Sequence, residues 1–385
     1  MSPKPPSSAS VVVIGGGVVG LATAYELARA GVPDVVLLER DSFGSGSTCK
    51  AAGGVRAMFS DPVNVTLGAR SLETFRDFPA RFGQQIDYAE VGYLFLLSTP
   101  TAVTEFEAAV ALQNDLGIPS RVISPAEARE LSPLIDPDGL LAAAWSPTDG
   151  HCTPESVVLG YAAAARRAGA TLLPHCAATG IDVADGRVTA VHTDAGTIRT
   201  DAVVCAAGAW SAQVGAWAGV DLPVSPLRRQ VLVTEPVPGL DPHTPFTIDF
   251  ATSFYFHREG RGLLMGMSDP DETPGFRLTR TDAWLPRLGA AIERRAPALA
   301  GVGVAGGWAG LYEMTPDHNA LIGRAGEVDT FLYATGFSGH GFLMGPAVGE
   351  VVRDLYLGEE PFVDVAALDV RRFAGDGVRP ELHVV

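Results

Sequence analysis

Cysteine is scarce in this chain: four in 385 residues, Cys49, Cys152, Cys176 and Cys205, with no CxxC spacing among them. Isolated cysteines among apolar and small neighbours exclude a disulfide framework and offer no ligand pair for zinc, so no metal site is expected. Basic charge is in short supply too, with 28 Lys and Arg against 44 Asp and Glu and a formal net charge of −16. A nucleic-acid backbone or an anionic lipid surface is repelled by such a chain, which leaves a small molecule as the expected partner. No apolar run approaches the ~20 residues that a membrane-spanning helix needs. The first ten residues are rich in Pro and Ser, with Lys4 as their one cation and no cleavage site for export. A cytoplasmic location is the resulting expectation. Internal repeats and low-complexity tracts are missing as well.

What the chain has in quantity is glycine, 44 residues spread along it, and an apolar fraction of 47%. That combination suits an ordered α/β protein with many tight connections, and 385 residues suffice for two domains. Residues 11–14 form a β-branched run of the kind found in a fully buried parallel strand, residues 21–30 read as a helix closed by Gly31, and residues 35–38 read as a second strand. These pieces make a βαβ unit with a right-handed crossover. A helix at 155–169, short strands at 171–173, 187–193, 197–199 and 202–206, a strand at 330–334 and a helix at 345–357 return to the same kind of structure. Two stretches differ in character, and in the second, residues 231–234, 254–257 and 263–267 read as antiparallel strands. The expected architecture is a discontinuous Rossmann-like domain (8–81, 145–219 and 305–385) interleaved with a mixed, largely antiparallel α+β domain (82–144 and 220–304).

The strongest motif lies between the first strand and the first helix: Gly15-Gly16-Gly17-Val18-Val19-Gly20, followed about twenty residues later by Glu39 at the end of the next strand. In that context a GxGxxG is a dinucleotide-binding fingerprint. Gly15 makes the tight turn, Gly17 leaves room for a pyrophosphate at the helix N-terminus beside Val18 and Val19, and Gly20 lets helix and strand approach. Glu39 is placed to accept hydrogen bonds from ribose hydroxyls. The fingerprint by itself does not separate FAD from NAD.

Four further segments resemble the FAD-dependent amine oxidoreductases, the family of D-amino-acid oxidase, glycine oxidase, sarcosine oxidase and its β-subunit relatives, dimethylglycine dehydrogenase and the proline dehydrogenase β-subunit. Glu39-Arg40, with Ser45, Ser47 and Thr48 and then Gly53-Gly54, is similar to the family's second phosphate-facing loop. Ala206-Ala207-Gly208-Ala209-Trp210-Ser211 is similar to its AAGxWS segment, and residues 308–323 to the segment that runs past the flavin. Gly336-Phe337-Ser338-Gly339-His340-Gly341-Phe342 matches the GFSGHGF loop of the sarcosine oxidase branch. The resemblance implies an FAD enzyme that oxidises a C–N bond by passing hydride to flavin N5, with a cofactor set that also takes in Ala178 and Gly310. It implies a secondary or N-methylated amine or amino acid such as sarcosine, dimethylglycine or proline. The alternatives are a primary amino acid, as for glycine or D-amino-acid oxidase, or an electron-transferring flavin subunit of a hetero-oligomer. The acceptor is oxygen or another electron carrier, and homo- or hetero-oligomers both fit.

Departures from the family pattern carry expectations of their own. Gly310 stands where sarcosine oxidases with covalent flavin have Cys, which implies non-covalent FAD. Tyr312 replaces the carboxylate-binding Arg of the glycine and D-amino-acid oxidases, and Leu343 the substrate-binding Lys of the monomeric sarcosine oxidases. Arg56 and Arg258 are the candidate replacements, since a guanidinium holds a carboxylate well. Tyr255 and Tyr312 are candidates to wall the substrate site, and His257 and His340 to tune the flavin or take a proton.

Overall fold

A computed structural model describes residues 4–375 and 378–384; Met1, Ser2 and Pro3 of the N-terminal stretch considered above lie outside them. The β-branched run Val11–Ile14 is buried at every residue, and it sits inside a six-stranded sheet. The order across that sheet is Leu321–Arg324, Phe331–Thr335, Val203–Cys205, Val11–Ile14, Val35–Leu38 and Thr171–Leu173. All neighbours run parallel except the antiparallel pair at the Leu321–Arg324 edge. Strand alternation divides the side chains between two faces. Val11, Val13, Val35 and Leu37 pack with the helices Val18–Arg29, Pro154–Arg167 and Gly341–Leu357. Val12, Ile14, Val36 and Leu38 pack on the other face with Ile181, Val191 and Ile198 of a four-stranded sheet.

A larger, eight-stranded mixed sheet is built from the stretches of different character. Its order is Val304–Met314, Ser225–Thr234, Gly262–Gly266, Phe254–Glu259, Phe246–Asp249, Tyr93–Leu97, Ala142–Ser146 and Arg121–Ile123. Two of the sequence-based cuts fall within strands of this sheet: 144/145 inside Ala142–Ser146, and 304/305 one residue into Val304–Met314. The latter strand pairs with Ser225–Thr234 along almost its whole length, so residues 308–314 of the segment said to run past the flavin form the edge of this sheet, while residues 321–323 belong to the six-stranded one.

Two helices begin three or four residues earlier than their sequence pattern suggests, and the strand read at 231–234 begins six residues earlier, at Ser225. The first helix starts at Val18 instead of residue 21, and the last at Gly341 instead of residue 345. In both helices a glycine in the first turn, Gly20 or Gly341, follows a glycine-rich loop and makes the turn read locally as loop, because Gly carries the largest entropic cost in a helix. Packing of Gly345 against Val18 and of Gly349 against Ala22 offsets that cost by letting the two helices approach closely.

Candidate active site

Strand Val11–Ile14 leads straight into the glycine turn. Gly15 has φ +119°, a conformation open to glycine, and a Cβ there would meet the Ala206 carbonyl oxygen at 2.2 Å. Gly20 is as confined, since a Cβ would lie 1.9 Å from the carbonyl oxygen of Gly15. The turn therefore holds the helix N-terminus open beside a cavity of about 560 Å³. Glu39, at the end of the next strand, accepts from the backbone N–H of Gly16 at 2.8 Å and of Asp41 at 2.8 Å. Thr48 Oγ1 accepts from the N–H of Val18 at 3.1 Å, tying the second loop to the helix start.

The cavity runs from this turn to the eight-stranded sheet. Of the residues singled out for a dinucleotide, Gly15, Gly17, Val18, Val19, Glu39, Arg40, Ser45, Ser47, Thr48, Gly53, Gly54, Ala178, Ala207, Gly208, Trp210, Gly310, Gly339, His340, Gly341 and Phe342 all line it. Gly20, Gly336 and Ser338 do not. Gly20 packs behind the turn, and Ser338 supports the GFSGHGF loop from within, its hydroxyl 3.2 Å from both the Thr315 N–H and Thr315 Oγ1. The lining fits FAD on this chain's own geometry: an open helix N-terminus for a pyrophosphate, an acidic strand end for a ribose, and a second helix start at Gly339–Phe342 for the flavin ring. No cysteine lines the cavity among the described residues.

At the sheet end the cavity is walled by Arg56, Tyr255, Tyr312 and His340, four of the five residues expected to contact substrate. Arg258 is the exception and is a correction. It follows Phe254 and Phe256 on the opposite side of its strand from Tyr255, and its Nε donates to the Gly260 carbonyl at 3.0 Å. His257 is also outside the lining. It is buried against Phe246, at 4.8 Å between ring centroids, with Nδ1 2.8 Å from the Arg258 carbonyl. Burial, with His151 beside it, holds its imidazole down to about 3.

Arg56 is 3% exposed. Its guanidinium donates to the backbone carbonyls of Met58 and, at 2.6 Å, His383, and lies over the Phe59 ring at 4.2 Å. Its Nη2 is 3.2 Å from Nε2 of His340. Arginine has no acceptor, so Nε2 accepts and His340 carries its proton on Nδ1. Burial and then the Arg56 charge hold His340 down to about 3, a neutral imidazole at pH 7. Burial raises the pKa values of both Tyr255 and Tyr312, which keeps the phenols protonated.

Among the lining residues that sequence reasoning missed are Tyr93, Lys50, Glu313 and Arg229. Tyr93 stacks on Phe246 at 4.3 Å. Lys50 donates to the carbonyls of Ser45 and, at 2.8 Å, Gly46. The carboxylate of Glu313 accepts from Thr335 Oγ1 at 2.9 Å and from the Gly336 N–H at 3.0 Å, which ties the GFSGHGF loop to the large sheet. Arg229 lies over Tyr312, 5.0 Å from its ring centroid. Arg229 lies two residues before Val231, in the polar first half of the strand Ser225–Thr234 that the apolar pattern from residue 231 onward did not include; the others depend on tertiary packing.

Residues 10–355 match the sequence profile of the family described as FAD dependent oxidoreductase. Mouse mitochondrial sarcosine dehydrogenase is 34% identical over 96% of this chain and 42% of its own length. Mouse mitochondrial dimethylglycine dehydrogenase is 31% identical over 95% of this chain and 44% of its own length. The chain thus spans less than half of either. Among solved structures, L-proline dehydrogenase from P. horikoshii superposes with a TM-score of 0.90 at 35% identity, covering 96% of this chain and 99% of that one. Glycine oxidase from Geobacillus kaustophilus gives 0.84 at 27% identity over 95% and 99%. No helix among the described residues is long and apolar enough to cross a membrane. This chain belongs to the FAD-dependent oxidoreductase family of D-amino-acid oxidase type.

Proposed function

We propose that this chain oxidises the C–N bond of a small secondary or N-methylated amine or amino acid, with FAD held non-covalently. The observation that carries the reading is one continuous cavity joining the dinucleotide turn and Glu39 to a wall of Arg56, Tyr255, Tyr312 and His340. FAD, when bound, supplies the two-electron chemistry by taking up hydride from the carbon next to the substrate nitrogen. The rest falls to the protein. Two arginines and two protonated phenols make that end of the cavity electropositive, which favours the neutral amine over the ammonium and so frees the nitrogen lone pair for imine formation. The same phenols hydrogen-bond and orient the substrate. The N–H groups at the start of helix Gly341–Leu357 border the same cavity, where their fixed positive partial charge would favour a flavin that gathers negative charge on reduction.

Three of the relatives support a secondary or N-methylated substrate, being sarcosine, dimethylglycine and proline dehydrogenases, whereas glycine oxidase acts on a primary amine. Anaerobic mixing of the purified yellow protein with sarcosine, dimethylglycine, L-proline, pipecolate, glycine, D-alanine and simple secondary amines tests the reading. Bleaching of the flavin band is expected with the secondary and N-methylated members first; bleaching by glycine or D-alanine alone overturns it. Acid precipitation is expected to release free FAD into the supernatant, since Gly310 offers no thiol; colour kept in the pellet refutes non-covalent attachment.

A further inference from the structure

Arg229 stands opposite Gly310 in the pairing of Ser225–Thr234 with Val304–Met314. With glycine opposite, its guanidinium can lie across the sheet toward Tyr312, over whose ring it sits at 5.0 Å. The next residue back, Arg228, points to the other side and is committed to Glu272 in an ion pair at 2.7 Å. Arg229 forms no such pair among the described residues. Its Nη1 makes one long hydrogen bond, 3.3 Å, to its neighbour's carbonyl, and its Nε is buried with no partner among the described residues. A buried donor without an acceptor is costly, so a guanidinium facing a cavity in this state is suited to an anion that arrives with the ligand. Arg56 is in the opposite condition, with its fork engaged by Met58, His383 and His340.

We propose that Arg229 is the anchor for a substrate carboxylate, which makes the substrate an amino acid with a free carboxylate and not a simple amine. This rests on the amine-oxidation reading above. Arg56 then acts as a fixed charge behind the site, while Arg229 and a carboxylate pair above Tyr312, with Tyr255 on the same wall.

Two measurements on the FAD-loaded protein test the proposal. In the first, kcat/KM is compared for matched pairs with and without a carboxylate, L-proline with pyrrolidine and sarcosine with dimethylamine. Arg229→Met is expected to lower the carboxylate-to-amine ratio by roughly 30- to 1,000-fold, and Arg229→Lys, which keeps the charge but not the fork, by less. In the second, tetrahydrofuran-2-carboxylate, a proline analogue with no nitrogen to oxidise, is titrated while the flavin spectrum is followed. Its Kd is expected to weaken in Arg229→Met over the same range, with FAD stoichiometry unchanged. An unchanged ratio and Kd in both variants, equal losses on both members of each pair, or a wild-type protein that binds no carboxylate would each overturn it. If none of the amines is oxidised by the wild type, the proposed function fails, while the carboxylate titration still decides the role of Arg229.

Discussion

At the residue scale, the chemistry of the site turns on which polar groups are already engaged. Arg56 is next to a loop that resembles the family's, yet its guanidinium serves three acceptors within the protein: Met58 O, His383 O and His340 Nε2. Arg56→Met strands those acceptors in a place where each unpaired group costs about 1–3 kcal/mol. The variant is expected to show a lowered thermal midpoint and weaker turnover of every substrate alike. A variant as stable as the parent, with a loss confined to carboxylated substrates, would return the carboxylate to Arg56. Glu39 is similarly committed, to the N–H groups of Gly16 and Asp41. Glu39→Ala is therefore expected to loosen the turn as well as remove a ribose acceptor. FAD affinity should fall by roughly 1.5–3 kcal/mol for each charged hydrogen bond lost, measurable by FAD release on ultrafiltration. Undiminished affinity would place the dinucleotide elsewhere.

At the scale of elements, the glycine turn and its helix form a unit whose geometry leaves no slack. A methyl group on Gly20 would overlap the Gly15 carbonyl oxygen, so Gly20→Ala forces helix Val18–Arg29 away from its strand. Overpacking of this kind costs typically about 1–3 kcal/mol. The expected result is protein recovered largely without FAD and with a lower thermal midpoint, read by absorbance and calorimetry; full FAD content would mean that the helix has room to shift. The βαβ unit was legible because its strands are buried on both faces and its apolar pattern is local. The early starts of two helices, and the membership of Val304–Met314 in the large sheet, were not. Both depend on partners far away in the chain: Val18 against Gly345 in one case, Ser225–Thr234 in the other.

At the scale of the whole molecule, four imidazoles, three buried and His151 half-buried, are held in the neutral form. His340 and His257 are held down to about 3, and His151 and His383 to about 4, in each case chiefly by burial. Their folded pKa values lie below the ordinary 6.5, so on acidification the unfolded chain takes up protons first. Stability that is fully present above pH ~6.5 is lost as pH falls toward 4. A thermal midpoint that stays flat from pH 7 to pH 4.5 would contradict this. Asp149 works in the other direction: burial pushes its carboxyl up to about 7, so its contribution is present at low pH and is lost as pH rises through 7. Asp149→Asn keeps an acceptor for the Ala57 N–H, which Asp149 Oδ1 meets at 3.1 Å. Relative to the parent, the variant is expected to be more stable at pH 8 than at pH 5, and the reverse order would exclude the buried acid.

By itself the sequence determined the nucleotide fingerprint, the buried parallel strands, the family and the motif residues that line the cavity at the glycine turn, because each rests on contacts within a few residues of the motif. Only the tertiary structure decided which cations reach the sheet end of the cavity. Arg258 falls on the wrong side of its strand, Arg56 is drawn into a ring of acceptors that includes a residue more than three hundred positions away, and Arg229 is opened to the cavity by a glycine on the neighbouring strand. Strand parity, cross-strand partners and the hydrogen bonds a side chain has already made are properties of the assembled sheet, and no local pattern of residues encodes them.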